Sequence, residues 1–354
     1  MSTFVLVHGG WHGGWCWRRV ATRLRAAGHE VHTPTLTGLG ERAHLGGPAT
    51  GLDTHIEDVA ALLECEDVRD AVLVGHSSGG AVVTGVAQRV ADRIAALVYL
   101  DAFVPRPGQS VLDLLPPARA DHFRSRVDDA GRVVLDPEVA LDGWGVRDPA
   151  DRAWMAPRLT PYPWRALADP LPDLPVPDLP CTYVHCTDKP AGDNFARFAA
   201  AAVPPWRRET LATGHDSMVT DPMGVVGILT GPSRADVVRS LVGGDRAERI
   251  AAHDRAYHDD AVLEFPQSGE RFEGVANFRE WRRRYPSDVT FESGEVRGTG
   301  ELWVMEGVAR YDGGPPHYGV SVHEFRGDRI ARETIYVSAG WDAPDWRAPW
   351  RAPR

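Results

Sequence analysis

The sequence predicts two domains, an α/β domain built on a largely parallel sheet and, after it, a smaller α+β domain. The chain has 354 residues, which exceeds what one hydrophobic core usually serves. Over residues 1–230, short β-rich runs alternate with helical patterns, as in parallel sheets covered by helices on both faces. Over residues 231–354, helical patterns come first and β-rich runs then follow one another directly.

The elements of the first domain can be placed in chain order. Predicted strands are Phe4–Val7, Glu30–Thr33, Ala71–Val74, Ala96–Leu100, Thr182–His185 and Arg208–Leu211, and predicted helices are Trp17–Ala27, Thr54–Glu64 and Gly80–Val90. The proline-rich segment 105–180 breaks this rhythm, so we expect an insertion that caps the sheet. Its aromatic side chains either line an apolar pocket or pack the insertion itself; they are Phe123, Trp144, Trp154, Tyr162 and Trp164.

The second domain is expected to begin after the break at Gly231–Pro232–Ser233. Asp245, with Glu248 three residues later, is a helix start signal. A helical stripe of apolar residues follows within 275–285. Glycine-containing turns then separate four β-rich runs, which predicts antiparallel hairpins; the runs are Val289–Arg297, Leu302–Tyr311, Tyr318–Phe325 and Ile330–Val337.

The composition disfavours several kinds of partner. The 39 basic and 49 acidic residues give a net charge of -10, whereas nucleic acids and anionic membranes require a basic surface. No apolar run is long enough to span a bilayer, and the N-terminus lacks a signal-peptide pattern. The four cysteines lack metal-site spacing, so we interpret them as free thiols. We expect a cytoplasmic protein with no nucleic-acid or membrane partner.

The segment Gly75–Gly80, Gly-His-Ser-Ser-Gly-Gly, points to a nucleophile. It follows a predicted strand and precedes a predicted helix, and in that context a Gly-x-Ser-x-Gly turn lifts the serine hydroxyl out of the sheet. Ser77 is therefore the candidate nucleophile. The alternative is a glycine-rich turn without chemistry.

A serine nucleophile needs a base and an acid. His215 follows the last predicted strand of the domain and is the candidate base. The acid should lie between Ser77 and His215 in the chain, and Asp188, two residues after a strand, is preferred over Asp101 and Asp193.

An oxyanion hole needs two backbone N–H donors. We expect one from Ser78 and the other from Gly10, in the loop after the first strand, although Gly9-Gly10 also suits a purely structural turn. These motifs imply no metal and no organic cofactor.

Four motifs together resemble the α/β-hydrolase superfamily, and within it the branch of plant-type methylesterases and hydroxynitrile lyases. The resemblance covers residues 3–230 and implies Ser77 as nucleophile, Asp188 as acid and His215 as base. The motifs are Phe4–Trp17 (FVLVHGGWHGGWCW), Val72–Gly80 (VLVGHSSGG), Thr182–Asp188 (TYVHCTD) and Gly214–Asp216 (GHD).

Two positions depart from the lyase pattern. Hydroxynitrile lyases carry a lysine after the catalytic histidine and a hydroxyl residue after the first-strand histidine, where this chain has Asp216 and Gly9. We expect Asp216 to repel an anionic leaving group, which favours hydrolysis over cyanohydrin cleavage. The acid loop is also one residue shorter than in the relatives.

Residues 233–350 resemble the SnoaL-like members of the cone-shaped nuclear-transport-factor-like fold, on the segments Tyr257–Phe265, Gly274–Phe278 and Arg329–Tyr336. Cyclases of this kind use a carboxylate and a histidine in an apolar cavity. Period-2 alternation puts His323 and Glu324 on opposite faces, so both cannot line one cavity. No residue is nominated as catalytic among the candidates on the late strands, which are His317, His323, Glu324, Glu333 and Tyr336.

The sequence thus predicts a serine hydrolase that cleaves an ester, thioester or lactone of a bulky hydrophobic, polyketide-like small molecule. One alternative is a bifunctional polyketide cyclase and hydrolase of secondary metabolism, with chemistry in the SnoaL-like domain. Another is a C-terminal module that only holds ligand or forms a homodimer.

Overall fold

The computed structural model describes residues 2–190, 192–231 and 234–350. Its contacts divide the chain into two compact units, Met1–Leu229 and Thr230–Arg354, each with its own hydrophobic core. The sequence-based boundary falls one residue later, between 230 and 231. Pro232 and Ser233 of the predicted break lie outside the described residues. None of the described helices combines the length and the apolar character needed to cross a bilayer.

The first unit is built on a six-stranded parallel sheet with the order β2-β1-β3-β4-β7-β8. Its central strands are almost continuously apolar, because both faces of the sheet are covered. A separate two-stranded antiparallel pair, β5 and β6, lies in the insertion. The strands are β1 Thr3–Val7, β2 Glu30–His32, β3 Ala71–His76, β4 Ile94–Leu100, β5 Arg132–Val133, β6 Tyr162–Pro163, β7 Cys181–Cys186 and β8 Arg207–Leu211.

Ten helices are described in the first unit, and four of them form the predicted insertion. Asp136 and Asp148 cap two of these four through hydrogen bonds from backbone N–H groups, and a proline follows each cap. The helices are α1 Arg18–Ala26, α2 Leu52–Cys65, α3 Gly79–Val90, α4 Pro117–Arg124, α5 Pro137–Gly143, α6 Pro149–Met155, α7 Trp164–Ala168, α8 Ala196–Ala201, α9 Ser217–Thr220 and α10 Pro222–Thr230.

The second unit has helices α11 Arg234–Ser240, α12 Arg246–Ala256 and α13 Val275–Arg283 against one sheet. The predicted start of α12 is confirmed, because Asp245 and Glu248 form a reciprocal capping box. The sheet order is β10-β9-β14-β13-β12-β11. Its strands are β9 Tyr257–Phe265, β10 Glu270–Glu273, β11 Val289–Thr299, β12 Leu302–Tyr311, β13 Pro316–Arg326 and β14 Arg329–Ala339.

The four late strands are antiparallel as predicted, but β9 and β10 precede α13 and were not anticipated as strands. In β9 only Tyr257, Ala261 and Leu263 are buried. These positions lie on one face of the strand, but exposed Asp259 interrupts the alternation, and β9 pairs both with β10 and, in parallel, with β14.

Candidate active site

The parallel sheet of the first unit brings distant parts of the chain to one edge. Ser77 follows β3, Asp101 follows β4, Lys189 lies shortly after β7 and His215 lies after β8. Because these strands are parallel, their carboxyl ends share one edge, where ligands of open α/β sheets bind. The predicted nucleophile and base therefore lie at the same side of the sheet.

The turn at Ser77 has the geometry of a nucleophile elbow. Ser77 has a φ of 53°, a left-handed conformation that is uncommon for a residue with a side chain. The flanking glycines permit it: a Cβ on Gly75 would lie 2.7 Å from the carbonyl oxygen of Gly79, and one on Gly79 would lie 2.7 Å from that of His8. Helix α3 starts directly afterwards, so its positive N-terminal end lies next to the serine.

The carboxylate beside His215 is that of Asp101. Its Oδ2 lies 2.7 Å from Nδ1 of His215, and both side chains are buried. The same carboxylate accepts hydrogen bonds from Nζ of Lys189 at 2.8 Å and from the backbone N–H of Cys186 at 3.1 Å. Asp101 also has a positive φ, 42°, which turns it out of the β4 line. These contacts fix the carboxylate of Asp101 against the imidazole of His215.

The preferred acid, Asp188, is placed elsewhere, and this is a correction to the sequence analysis. Both of its carboxylate oxygens lie 2.7 Å from the guanidinium of Arg147, and its side chain is 46% exposed. Its backbone N–H donates to Thr213, which fixes the loop with the carboxylate turned away from His215. The other alternative, Asp193, binds Lys189 and His185 and does not contact His215.

Ser77, Ser78 and His215 line a common cavity of about 420 Å³. The ring of Phe195 stacks on His215 with centroids 5.0 Å apart, and the backbone N–H of His215 donates to the carbonyl of Trp144. Of the aromatic residues predicted to line a pocket, Phe123 and Trp144 do so. The other three, Trp154, Tyr162 and Trp164, pack against the core instead.

The loop after β1 lies against the elbow, as an oxyanion hole requires. A Cβ on Gly9 would lie 2.7 Å from Cβ of Ser77, and one on Gly10 would lie 3.5 Å from Oγ of Ser78. Within the described part of the chain, the backbone N–H groups of Gly10 and Ser78 donate no hydrogen bond. The two predicted donors are thus close to the nucleophile and unoccupied.

Two further polar residues near this site, Lys189 and His12, were not singled out from the sequence, and Asp216 was singled out for a different role. Lys189 is the single lysine of the chain and contacts the carboxylate of Asp101. His12 contacts Asp216, which is fully buried and does not line the cavity. The expectation that Asp216 faces a leaving group is therefore wrong. In the sequence these residues were marked only by being close to the motifs. Their contacts could not be predicted, because their partners are distant in the chain.

The second unit has an apolar cavity of its own, about 500 Å³ in volume. Its floor is polar: Oγ of Ser321 lies 2.9 Å from Nε2 of His323, and the hydroxyl of Tyr257 donates to Glu333 at 2.5 Å. Arg282 lies 3.4 Å from the same carboxylate. Burial raises the pKa of Tyr257 and lowers that of His323, so both stay neutral at physiological pH.

The predicted opposition of His323 and Glu324 is confirmed, since His323 is fully buried and Glu324 is exposed. Of the remaining candidates on the late strands, Glu333 belongs to the buried floor, whereas Tyr336 is half exposed and His317 lies at the start of β13.

Residues 4–228 match the family model described as the alpha/beta hydrolase family, and residues 236–333 match that of the SnoaL-like domain. Among solved structures, an extracellular alpha/beta-hydrolase from a Paenibacillus species is 26% identical with a TM-score of 0.57, covering 66% of this chain and 100% of that one. A methylesterase from Arabidopsis is 25% identical with a TM-score of 0.54, covering 65% of this chain and 97% of that one.

The curated relatives match shorter segments. A carbendazim hydrolyzing esterase from Nocardioides sp. is 60% identical over 118 residues, which is 33% of this chain and 49% of that protein. A pheophorbidase from Raphanus sativus is 37% identical over 108 residues, 30% of this chain and 41% of that protein. The matched segments thus span half or less of the length of these relatives.

Proposed function

Because the chain belongs to the alpha/beta hydrolase family over residues 4–228, we propose that its first unit is a serine hydrolase that cleaves carboxylic esters, thioesters or lactones. The observation that carries this proposal is the cavity shared by Ser77 and His215, with Asp101 hydrogen-bonded to the far side of the imidazole. This is the relation of nucleophile, base and acid that acyl transfer requires.

In the proposed reaction His215 takes the proton of Ser77 through Nε2 while Oγ attacks the substrate carbonyl carbon. Nδ1 of His215 stays bonded to Asp101, which stabilises the imidazolium that forms. The N–H groups of Gly10 and Ser78 bind the carbonyl oxygen as it becomes an oxyanion. His215 then protonates the leaving alcohol or thiol, and water, deprotonated by His215, releases the acid from the acyl-enzyme.

The cavity walls favour a bulky hydrophobic substrate. Trp11, Phe103, Phe123 and Trp144 line the cavity with the nucleophile, and the cationic groups of the lining that could meet a polar substituent are Arg119, Arg126 and Lys189. Aromatic walls of this kind bind flat or branched apolar groups. The relative named for carbendazim hydrolysis makes carbendazim a reasonable compound to include among the substrates tested.

The test is hydrolysis of a chain-length series of p-nitrophenyl esters by the full-length chain and by Ser77→Ala. We expect turnover that is abolished in Ser77→Ala with an unchanged circular dichroism spectrum, and labelling of Ser77 by a fluorophosphonate. Thr84→Val, which removes a buried hydroxyl on α3 away from the cavity, is the matched control and should keep the wild-type chain-length preference. Equal turnover by Ser77→Ala would refute the proposal.

A second candidate function is acid–base chemistry in the second unit, on a polyketide-like molecule of secondary metabolism. The observation in its favour is a buried polar group beside the apolar cavity, where Ser321 is hydrogen-bonded to Nε2 of His323 and Nδ1 of His323 lies 3.9 Å from the carboxylate of Glu333. Burial of such groups beside an apolar chamber is typical of sites that move protons. A module that only holds ligand or forms a homodimer would use the same cavity without chemistry.

Chemistry in the second unit and ligand holding alone can be distinguished in Ser77→Ala, a variant that lacks the proposed hydrolase activity. Turnover of an aromatic polyketide that is lost in Ser77→Ala/Glu333→Gln supports chemistry in the second unit. Saturable binding of the same compound without turnover, in both chains, supports a holding module. Sedimentation equilibrium of the full chain reports whether it is a dimer.

A further inference from the structure

Two buried histidines contact successive carbonyl groups of the loop that follows β1. Nδ1 of His8 lies 2.8 Å from the carbonyl oxygen of Gly9, and Nδ1 of His12 lies 2.7 Å from that of Gly10. Both side chains are at most 1% exposed and neither lines the cavity. The loop between them carries Gly10, the proposed oxyanion donor.

The partners of His8 fix its protonation. Nε2 accepts the backbone N–H of Leu36 at 3.0 Å, so Nδ1 carries the proton and donates to Gly9. His8 is therefore neutral, and burial lowers its pKa to about 3. A neutral histidine satisfies both neighbours here.

His12 differs, because both of its ring nitrogens face acceptors. Nδ1 must donate to the carbonyl of Gly10, while Nε2 lies 3.3 Å from Oδ1 of Asp216. Asp216 is fully buried, and within the described residues neither of its oxygens accepts a well-formed hydrogen bond. A buried carboxylate in that position needs a cation. The proton shared by this pair resides on the more basic imidazole, which makes His12 an imidazolium.

The electrostatic surroundings agree with this assignment. Burial acts to lower the pKa of His12, but the carboxylate of Asp216 raises it above its ordinary value. Burial acts to raise the pKa of Asp216, but the charge of His12 lowers it to about 2. The other side chains near His12 include the rings of Trp15 and Trp144, and two histidines, His76 and His8, which are neutral because burial lowers their pKa values.

We infer that His8 and the His12–Asp216 ion pair are positioning residues that hold the oxyanion loop in its working conformation, an inference that rests on the proposed hydrolase function. In a trans peptide the C=O and N–H point in opposite directions. A carbonyl held by a histidine on the buried side therefore turns the following N–H toward the opposite side, where the nucleophile lies. His8 directs the N–H of Gly10 in this way, and His12 directs that of Trp11.

Trp11 shows why such a restraint is needed. Its φ is 64°, a conformation that costs a tryptophan free energy in the absence of restraints. The indole N–H of Trp11 donates to the carbonyl of Val133, which holds the side chain. The carbonyl of Trp11 accepts the N–H of Thr160, which holds the peptide that follows Trp11. The peptide before it is held by His12 alone among the described residues.

The test uses two double variants of the full-length chain, each without a stranded buried charge. His12→Phe/Asp216→Asn removes the hydrogen bond to Gly10, whereas His12→Asn/Asp216→Asn keeps an N–H donor at the position of Nδ1. Because His12 directs the peptide after Gly10 and not the Gly10 N–H itself, we expect the Phe variant to lose about tenfold in kcat, less than the roughly 10²-fold for outright loss of an oxyanion donor, with KM changed by less than about threefold. The Asn variant should recover most of that loss.

A trifluoromethyl ketone inhibitor gives a readout that a merely structural role would not move. Oγ of Ser77 adds to the ketone carbon, its proton passes to His215, and the ketone oxygen becomes an oxyanion in the hole. The Ki should rise in the Phe variant by the same factor as kcat/KM falls. Tyr99→Phe, which loses a buried hydrogen bond to Thr84 far from the loop, controls for general destabilisation and should leave Ki unchanged.

The charge of His12 is read without any activity. In long-range ¹H–¹⁵N spectra at about pH 8, above the ordinary histidine pKa of about 6.5, both ring nitrogens of His12 should have imidazolium shifts, and Asp216→Asn should make them neutral. A neutral His12 in the wild-type chain, or equal kcat in the Phe and Asn variants, overturns the inference. Absence of both ester turnover and a Ser77 adduct in the wild-type chain would instead refute the proposed hydrolase function.

Discussion

Replacement of Asp101 by asparagine tests which carboxylate supports His215. The change keeps the side-chain shape but removes the negative charge that lies 2.7 Å from Nδ1 of His215. At an effective dielectric constant of about 20, unit charges at that separation attract by about 6 kcal/mol. Because the real charges are delocalised, this is an upper bound on what the imidazolium loses, and it corresponds to about 10⁴-fold in rate. A triad acid replaced by its amide has an effect of this size.

The matched variant is Asp188→Asn. Asp188 and Arg147 have side chains that are 46% and 67% exposed, so solvent screens their ion pair and it contributes little to stability. We therefore expect kcat to change by less than about threefold in Asp188→Asn, since the carboxylate does not contact His215. The two aspartates thus differ in expected effect by more than three orders of magnitude.

The assay is pre-steady-state hydrolysis of a p-nitrophenyl ester, in which the burst reports acylation of Ser77. In Asp101→Asn the ammonium of Lys189 keeps Asp193 as a partner at 3.0 Å, so the fold should survive. Thermal unfolding followed by circular dichroism verifies this. A larger loss of burst rate in Asp188→Asn than in Asp101→Asn would refute the assignment.

Three further outcomes are expected. Gly9→Ala places a methyl group 2.7 Å from Cβ of Ser77, so the burst rate should fall at least about tenfold, or the protein should lose about 1–3 kcal/mol of stability. Burial lowers the pKa of His8 to about 3, so as the pH falls below about 6.5 the unfolded chain binds the proton first and the free energy of unfolding should decrease toward pH 3. Urea unfolding measured over this pH range should show a weaker dependence of the free energy of unfolding on pH in His8→Asn than in the wild-type chain. Tyr257→Phe removes the hydrogen bond to Glu333, and thermal unfolding should show a loss of about 1.5–3 kcal/mol.

Local patterns in the sequence were enough to predict the elements that depend on interactions within a few residues or on a regular apolar repeat. The apolar runs of the parallel sheet and the capping box at Asp245 are encoded within a few residues, and they were predicted correctly. Strand β9 is different, because exposed Asp259 interrupts its apolar alternation and because it pairs with β14 as well as with the neighbouring β10. A pairing partner more than sixty residues away leaves no local signal.

The same contrast between local and nonlocal signals explains which residues of the site could be predicted from the sequence. The elbow motif and the loop after β8 located Ser77 and His215 at one cavity, because each motif sits at a strand end. For the acid, the sequence left several carboxylates at the same edge of the sheet as candidates. What separates them is nonlocal: Arg147 of the insertion binds Asp188, and a positive φ turns Asp101 toward the imidazole.

The proposed acid, Asp101, directly follows β4, and this changes which part of the chain the proposed site depends on. The turns at Ser77 and Asp101 are joined through the backbone, since the N–H of Ser77 donates to Leu100 and the N–H of Phe103 donates to Ser77. Nucleophile and acid therefore belong to one rigid piece of the central sheet. His215 is held to it by the hydrogen bond to Asp101 and by the contact of its carbonyl oxygen with Nε2 of His76 at 3.1 Å.

The loop between β7 and α8 would carry the acid if Asp188 filled that role, and its sequence would then be constrained by the chemistry. With Asp101 as the partner of His215, this loop contributes Lys189 to the carboxylate of Asp101, and Asn194 and Phe195 to the lining of the cavity. Changes at Asn194 are therefore expected to alter KM and substrate preference while the fluorophosphonate reactivity of Ser77 is kept, because that reactivity depends on the β3–β4 turns.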